Sequence, residues 1–375
     1  MNINTLELAL KLMAEESITP NDANCQKILT GYLQKLGFHI QHLNNEIASN
    51  LWACLDPTQP CDLVFAGHTD VVPPGDLSEW IYPPFAPTVV DNTLYGRGAC
   101  DMKVALACMI SATADFLDLD TNKPPNIGFL ITSSEEGDAT PGTIYALKNI
   151  NNFHSKYCIV GEPTSSEKFG DIVKIGRRGS ITFNIKFTGK QGHVAYPEKA
   201  HNPNDDMIKF MHELNNVVWD HGSNEFPASN LEITQIESGV AVNVIPASSY
   251  CAFNLRFNPE STTTYILDTV HNLLKDSQCD YNINHIISAK PFLNKPGTLY
   301  DAISSAIETE CKVQTRTSTC GGTSDARFLT SHCSELVEFG LCNASAHQIN
   351  EHNSLDSLNS LTKVYLKTLN NLFNC

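Results

Sequence analysis

The sequence predicts an α/β fold: one domain with a largely parallel mixed sheet flanked by helices, plus an inserted two-layer α+β domain. Short apolar runs at 63–66, 127–132 and 157–160 predict buried strands. A helical stretch at 103–119 separates the first two of these runs, which is typical of α/β layers. From Arg178 onward the pattern changes to alternating apolar and polar residues, which indicates a second domain. The length of 375 residues is enough for two hydrophobic cores.

An early helix of the first domain is expected to begin at Thr19. Thr19 is placed as the N-cap, with Pro20 at the first helical position. Apolar residues then recur at helical spacing from Ile28 to Leu36, and Gly37 is expected to end the helix.

The second domain is predicted from a β-α-β-β-α-β order of elements. The elements are a strand at 181–187, a helix at 205–218, strands at 231–237 and 250–257, a helix at 262–275 and a strand at 281–288. After Pro291 the pattern returns to helix and loop. We therefore expect residues 1–178 and 292–375 to form the first domain and residues 179–291 to form the inserted one.

Composition excludes several classes of protein. The formal net charge of −16 argues against binding to nucleic acid or to anionic membranes, which require a basic surface. The sequence contains no apolar run long enough to span a bilayer, and its N-terminus does not resemble a secretory signal. Thirteen cysteines without a Cys-x-x-Cys pair indicate free buried thiols. A cytoplasmic location is expected, since thiols stay reduced there.

Chemically distinctive residues follow each predicted strand of the first domain. His68 and Asp70 follow the first strand, Glu135 and Glu136 the second, and Glu162 the third. In open α/β sheets, binding sites form just beyond the carboxyl ends of the strands. These segments are therefore expected to converge on one crevice.

An imidazole together with several carboxylates is the ligand chemistry of zinc, and also of cobalt or manganese. Asp101, between a glycine-rich turn and the helix at 103–119, is the candidate for a carboxylate shared by two ions. Asp70 is placed to orient His68, and Glu135 to take a proton from water. Spacing alone leaves open a surface His-x-Asp, a solvated glutamate pair and a helix-capping aspartate.

Three motifs resemble the zinc aminoacylase/carboxypeptidase (M20) family of metallopeptidases. They are Gly-His-Thr-Asp-Val-Val-Pro at 67–73, Gly-Arg-Gly-Ala-Cys-Asp-Met-Lys at 96–103 and Glu-Glu-Gly at 135–137. The resemblance extends over nearly the whole chain. Segments at 176–180, 191–197 and 321–325 are most similar to members that hydrolyse N-succinyl-LL-2,6-diaminopimelate to succinate and LL-2,6-diaminopimelate, in lysine and peptidoglycan precursor synthesis.

The resemblance implies two Zn²⁺ ions per subunit, with Co²⁺ as a substitute. Its implied ligands are His68 and Glu162 for one ion, Glu136 and His347 for the other, and Asp101 as the bridge. Glu135 matches the general base. His347 follows only from the family pattern His-x-x-Asn-Glu at 347–351, because spacing left His332 and His352 equally open.

The resemblance also implies a small-molecule substrate with three carboxylates and a homodimer formed through the inserted domain. Implied substrate contacts are Arg178, Tyr196, Asn243, Arg256, Gly322, Thr323 and Asn343. His193 is expected to reach the other subunit's metal site and stabilise an oxyanion. Alternatives are deacetylation of N-acetylornithine, cleavage of dipeptides by a related member, and a non-catalytic metal- or ligand-binding protein.

Overall fold

The computed structural model describes residues 3–119 and 124–373. It divides into two compact units. Unit 1 comprises Met1–Ile175, Asn294–Ser318 and Ser324–Cys375, and unit 2 comprises Gly176–Leu293 and Thr319–Thr323. The expected domain boundaries at 178/179 and 291/292 stay predictions.

Helices and strands alternate through most of the described chain. The helices are α1 Thr5–Met13, α2 Cys25–Lys35, α3 Lys103–Leu117, α4 Tyr145–Asn149, α5 Pro203–Asn215, α6 Thr263–Leu274, α7 Thr298–Cys311, α8 Ala326–Leu329 and α9 Leu355–Phe373. The strands are β1 His39–His42, β2 Asn50–Cys54, β3 Cys61–His68, β4 Thr88–Val90, β5 Thr93–Tyr95, β6 Ile127–Thr132, β7 Ser155–Val160, β8 Ile172–Lys174, β9 Gly176–Arg177, β10 Gly179–Thr188, β11 Gly192–His193, β12 Asn230–Ser238, β13 Val244–Ile245, β14 Ser248–Phe257, β15 Asp280–Ala289, β16 Phe292–Leu293, β17 Arg316–Ser318, β18 Cys333–Glu338 and β19 His352–Ser354.

Unit 1 is built on an eight-stranded mixed sheet in the order β1-β2-β6-β3-β7-β18-β8-β17. Its central strands β6, β3, β7 and β18 are parallel, and antiparallel pairs lie on either side of them. Helix α3 is buried along almost its whole length and packs against α1 and α9. The predicted strands at 63–66, 127–132 and 157–160 and the helix at 103–119 are confirmed as β3, β6, β7 and α3.

Two expectations for unit 1 are wrong. Helix α2 begins at Cys25 rather than at Thr19, because the Thr19 N–H donates to the Val71 carbonyl and holds the chain extended beside it. The C-terminal part is not only helix and loop, since β18 is a central strand of the sheet. Polar residues in β18 interrupt the apolar run that would predict a buried strand. One of them, Glu338, is fully buried and accepts a hydrogen bond from Ser324 Oγ.

Unit 2 is a two-layer α+β arrangement, as expected. Its four-stranded antiparallel sheet has the order β12-β14-β10-β15, and the long elements follow the predicted β-α-β-β-α-β order. Alternate residues of β10 and β14 point into a core closed by α5 and α6. The predicted alternation at 181–187 therefore corresponds to one buried face of β10.

The carboxylate of Asp220 links the loop between α5 and β12 to the segment that follows β14. Asp220 Oδ1 accepts hydrogen bonds from the Gly222 and Ser229 N–H groups and from Asn258 Nδ2, and Oδ2 accepts one from Ser261 Oγ. Although burial opposes the charge, these bonds lower the pKa of Asp220 to about 2. Its stabilising effect is therefore complete above about pH 4 and is lost as the pH falls towards the folded pKa.

Replacing Asp220 with asparagine is expected to destabilise unit 2 by about 2 kcal/mol at pH 7, because an amide group would face N–H and O–H donors. Trp219 is the adjacent residue, so its fluorescence during urea unfolding, in a variant with Trp52 and Trp80 replaced by phenylalanine, reports on this unit. The exposed Asp268 offers the matched control Asp268→Asn, which should leave the midpoint unchanged. Equal midpoints for Asp220→Asn and the control would contradict the role of Asp220.

Two further expectations concern cysteines and membrane spans. The twelve cysteines within the described residues are all free thiols, and most of them are buried. Among the described helices, none combines the length and the apolarity that crossing a membrane requires.

Candidate metal centre

The carboxyl ends of β6, β3 and β7 lie side by side in the sheet of unit 1, because these strands are parallel neighbours. His68 is the last residue of β3, and Glu135 and Glu136 follow β6 closely. Glu162 follows β7. Adjacent strands thus deliver an imidazole and three carboxylates to one edge of the sheet.

Asp101 lies between two histidines. Its Oδ1 is 3.1 Å from His68 Nε2, and its Oδ2 is 3.3 Å from Nε2 of His347. His347 Nε2 also lies 2.9 Å from Glu136 Oε1. The two oxygens of one carboxylate therefore face two different imidazoles, which is the arrangement expected of a ligand shared by two cations.

Glu162 and Glu135 complete the cluster on the His68 side. His68 Nε2 is 3.8 Å from Glu162 Oε1. One donor atom from each of His68, Glu135 and Glu162 lies within 4.8 Å of the others, and the same holds for His68, Asp101 and Glu136. Gly340 makes room for this segment, because a Cβ there would lie 2.5 Å from the Glu162 carbonyl oxygen.

The side chain of Asp70 holds the loop that carries both glutamates. Its Oδ1 accepts a hydrogen bond from the Glu135 N–H and its Oδ2 accepts one from the Glu136 N–H. The Asp70 carboxylate is 3.6 Å from His68 Nδ1, while the Asp70 main-chain carbonyl is 2.8 Å from the same nitrogen. Asp70 thus contacts the histidine through its backbone and the glutamates through its side chain.

The ionisation of the cluster reflects its crowded negative charge. Burial opposes a charged ring at His68, yet the hydrogen bond to Asp101 and the charge of Asp70 raise its pKa well above the usual value. Hydrogen bonds to Asp101 and Glu136 raise the pKa of His347 to about 10. Burial, and then the charge of Glu162, raises the pKa of Glu135. Four carboxylates around two imidazoles strongly favour bound cations.

The donor set fits a pair of divalent ions. The Nδ1–H of His68 donates to a carbonyl, so the lone pair of the neutral ring is on Nε2, which faces the carboxylates. Two donors bound to one tetrahedral zinc ion at about 2.1 Å are separated by about 3.4 Å. The separations of 3.1 and 3.8 Å from His68 to Asp101 and Glu162 bracket this value.

The other two histidines considered as ligands have different surroundings. The His332 ring packs edge-on against Phe153. His352 Nδ1 lies 2.8 Å from the Asn350 carbonyl oxygen, and its ring packs on Tyr95. Of these three histidines, only His347 contacts Asp101 and Glu136 in the described structure.

In unit 2, two guanidinium groups lie close together. Arg256 is opposite Ser180 in the β10–β14 ladder, and Arg178 directly precedes β10. Burial and the charge of Arg178 lower the pKa of Arg256. Among the described residues neither arginine forms an ion pair with a carboxylate, and Arg178 Nε is buried without a hydrogen-bond partner. Arg178 Nη1 donates to Asn230 Oδ1 at 2.6 Å. Guanidinium groups bind carboxylates through paired N–H donors, so the two arginines stay candidates for a contact with an anionic substrate.

His193 is exposed at the end of β11, and its Nδ1 accepts a hydrogen bond from the Ala195 N–H. The neutral ring therefore carries its proton on Nε2. The exposed Tyr196 ring packs 5.7 Å from the His193 ring. The Asn243 carbonyl accepts the Val194 N–H, which ties the loop before β13 to this segment.

The remaining predicted substrate contacts are divided between the units. In unit 2, Gly322 is exposed and its carbonyl accepts a hydrogen bond from Arg177, and Thr323 is half-buried beside it. Asn343 is exposed in unit 1, where its N–H donates to the Ser165 carbonyl.

Comparisons with known proteins place the chain in a family. Residues 64–371 match Peptidase family M20/M25/M40. The chain belongs to this family. As a member it is a metal-dependent hydrolase.

Curated relatives within the M20 family match almost end to end. A protein named succinyl-diaminopimelate desuccinylase from Acinetobacter baylyi is 44% identical over 372 residues, covering 98% of each chain. One of the same name from Thiobacillus denitrificans is 43% identical over 371 residues, covering 98% of this chain and 94% of the relative.

Solved structures share the fold at low sequence identity. An M20 family metallo-carboxypeptidase from Sulfolobus solfataricus has a TM-score of 0.82 and 16% identity, covering 99% of both chains. A Bacillus subtilis protein described as a dinuclear metal binding peptidase from the M20 family has a TM-score of 0.72 and 14% identity, covering 97% of this chain and 96% of its own.

Sequence reasoning missed several residues around the M20 site. Asp325 is buried, accepts a hydrogen bond from the Thr143 hydroxyl, and lies close enough to raise the pKa of Glu135 by its charge. Arg97 and Glu351 form a buried ion pair beside Asp101. The signal in the sequence is the presence of charged residues inside the motifs at 96–103, 321–325 and 347–351.

Proposed function

We propose that this chain hydrolyses N-succinyl-LL-2,6-diaminopimelate to succinate and LL-2,6-diaminopimelate. The observation that carries the proposal is Asp101, whose two oxygens face His68 and His347 inside a ring of carboxylates suited to two cations. The choice of substrate is supported by relatives of 43% and 44% identity over nearly the whole chain that are named for this reaction.

The proposed cofactor is a pair of Zn²⁺ ions per subunit, which Co²⁺ can replace, as the mixture of imidazole and carboxylate donors suggests. His68 and Glu162 would hold one ion, Glu136 and His347 the other, and Asp101 both. Such a pair supplies a polarised amide carbonyl and a water of lowered pKa.

The roles proposed for the protein groups follow from their surroundings. Glu135 takes a proton from the attacking water and passes it to the leaving nitrogen, so that the amide becomes a carboxylate and an amine. Asp70 holds the Glu135 and Glu136 backbone N–H groups and so positions the base relative to a metal ligand.

The substrate carries three carboxylates, and the arginine pair supports recognition of at least one of them. Arg178 and Arg256 lie on an otherwise acidic protein, and a carboxylate bound between them would relieve their mutual repulsion. The proposed remaining contacts are Tyr196, Asn243, Gly322, Thr323 and Asn343.

Replacing Arg256 with methionine is expected to raise KM for the succinylated substrate about tenfold to a hundredfold, because one charge-assisted contact is lost. The change in kcat should be smaller, since the arginine binds substrate and transition state alike. Steady-state kinetics would measure both constants. Arg316→Met, at an exposed arginine of β17, is the control. An unchanged KM for Arg256→Met would exclude Arg256 from substrate binding.

A homodimer formed through unit 2 is proposed, with His193 acting at the partner's metal centre. Both outer strands of the unit 2 sheet, β12 and β15, pair on one side only within the described residues. Unit 2 also exposes several large apolar side chains, namely Val194, Ile208, Ile236, Val240, Val242 and Ile286. Open strand edges and exposed apolar groups are features of association surfaces.

The free thiols support a reducing compartment such as the cytoplasm.

A substrate panel tests the proposed reaction. Purified protein would be freed of metal by chelation, reloaded with Zn²⁺ or Co²⁺, and assayed with N-succinyl-LL-2,6-diaminopimelate, N-acetylornithine and dipeptides. We expect kcat/KM to be highest for the succinylated compound, and activity to be lost on chelation and restored by either ion. A higher kcat/KM for N-acetylornithine or a dipeptide would assign the chain to another activity of the family. Stoichiometric binding without turnover of any substrate would assign it a binding role.

A further inference from the structure

The ligands of the proposed metal centre are held in two different ways. His68 is the last residue of a central strand, and Glu162 follows the neighbouring parallel strand. Asp101 and His347 instead lie on two loops that are far apart in sequence. His347 Nε2 nevertheless lies 3.3 Å from Asp101 Oδ2. Some feature other than the sheet must therefore hold these two loops in register.

Glu351 contacts the loop that carries Asp101. Its side chain is fully buried. One oxygen, Oε1, accepts hydrogen bonds from the Cys100 N–H at 2.7 Å and from the Asp101 N–H at 3.1 Å. The other, Oε2, accepts one from the Gly98 N–H at 3.2 Å. A single carboxylate thus binds three backbone N–H groups of this loop, and such charge-assisted bonds are stronger than neutral ones.

Arg97 lies in the loop that carries Asp101 and binds the loop that carries both His347 and Glu351. Its Nη1 donates to Glu351 Oε2 at 2.7 Å and to the carbonyl of Gln348, the residue after His347, at 3.2 Å. The guanidinium is almost completely buried, and it stacks 5.3 Å from the Trp80 ring. The Glu351 side chain binds the backbone N–H of Asp101. In the described structure, neither Glu351 nor Arg97 forms a hydrogen bond with the side chain of a proposed metal ligand.

We propose that Arg97 and Glu351 are positioning residues that set the separation of Asp101 and His347, and so determine how tightly the second ion is held. The inference rests on the proposed metal pair. The ion held by His68 and Glu162 has two ligands anchored by strands, whereas the ion at His347 depends on both loops. Loss of the Arg97–Glu351 pair should therefore weaken the second ion selectively.

The role of the Arg97–Glu351 pair is to fix geometry rather than to add stability. Replacing a buried ion pair by neutral groups of similar size is often neutral or stabilising, whereas removing one partner leaves a buried charge uncompensated. The three N–H groups bound by Glu351 would still need an acceptor in any variant. Only a carboxylate offers two oxygens that can accept from them and from the guanidinium together.

Three variants separate positioning from stability: Arg97→Met, Glu351→Gln and the double variant carrying both. Metal-free protein would be titrated with Zn²⁺ by calorimetry and with Co²⁺ by visible absorption, and thermal unfolding of the metal-free forms would be recorded. We expect each variant to bind the first ion within about threefold of wild type and the second about tenfold to a hundredfold more weakly, as for other groups that support metal ligands. The double variant should be more stable than either single variant yet keep the weakened second ion.

Asp220→Asn is the matched control, because Asp220 is also a multiply hydrogen-bonded carboxylate but belongs to unit 2. It should lower stability without changing the affinity for either ion. Wild-type affinity for the second ion in the double variant, or equal weakening of both ions in proportion to lost stability, would overturn the inference. Wild-type protein that binds fewer than two ions would overturn the proposed metal pair, and this inference with it.

Discussion

Replacing Glu135 with glutamine is expected to lower kcat about 10²- to 10⁴-fold while two metal ions stay bound. Glutamine has the same shape as glutamate but cannot accept a proton at neutral pH. The hydrogen bond from the Glu135 N–H to Asp70 uses only the backbone, so the loop should keep its conformation. Release of succinate would measure turnover, and elemental analysis of dialysed protein would measure metal content.

The adjacent glutamate provides the control. Glu136 Oε1 faces His347 Nε2 at 2.9 Å, so Glu136→Gln is expected to lower metal content as well as turnover. If Glu135→Gln loses activity but keeps its full metal content, Glu135 is the base. If Glu136→Gln loses both activity and metal, Glu136 is a metal ligand. Near-normal turnover by Glu135→Gln would refute the assignment of Glu135 as the base.

Replacing His193 with alanine is expected to lower kcat about 10²- to 10³-fold, the usual effect of removing one oxyanion donor. Because Nδ1 accepts the Ala195 N–H, the neutral ring presents an Nε2–H donor. The side chain is exposed, so the variant should unfold at the same temperature as wild type and bind the same amount of metal. His193→Gln, which retains an N–H at a similar distance from the backbone, should recover part of the activity.

Mixing two inactive variants tests whether His193 acts across a dimer. In a heterodimer of His193→Ala and Glu135→Gln chains, the site of the first chain would have its own Glu135 and would receive His193 from the second. Subunit exchange between the two inactive proteins should therefore restore activity towards the level of one working site per dimer. If His193 acts within its own chain, every site in the mixture lacks one group and activity stays low.

The elements that could be predicted from the sequence are those whose environment is uniform. Within β3, β6 and β7, the segments 63–66, 127–132 and 157–160 are buried on both faces, so they are predominantly apolar runs. Strand β10 is buried on one face and alternates. Thr19-Pro20 has the composition of a helix start, yet α2 begins at Cys25. The pairing of Thr19 with Val71 is a tertiary contact that local composition does not predict.

The candidate site divides in a similar way. His68, Glu136 and Glu162 could be grouped because parallel strands bring their carboxyl ends to one edge, and the structure brings them together there. His347 could not, because nothing local distinguishes it from His332 or His352. Its place beside Asp101 depends on a loop held by Glu351 and Arg97.

The sequence by itself determined the α/β class, the β-α-β-β-α-β order of the second unit and the types of residue that carry the chemistry. These properties depend on local periodicity and on side-chain chemistry, which are written along the chain. Only the tertiary structure decided that one carboxylate faces two imidazoles, that β18 lies in the sheet centre, and that a buried ion pair joins the two ligand loops. Such contacts join residues separated by tens to hundreds of positions, and their geometry depends on how the whole unit packs.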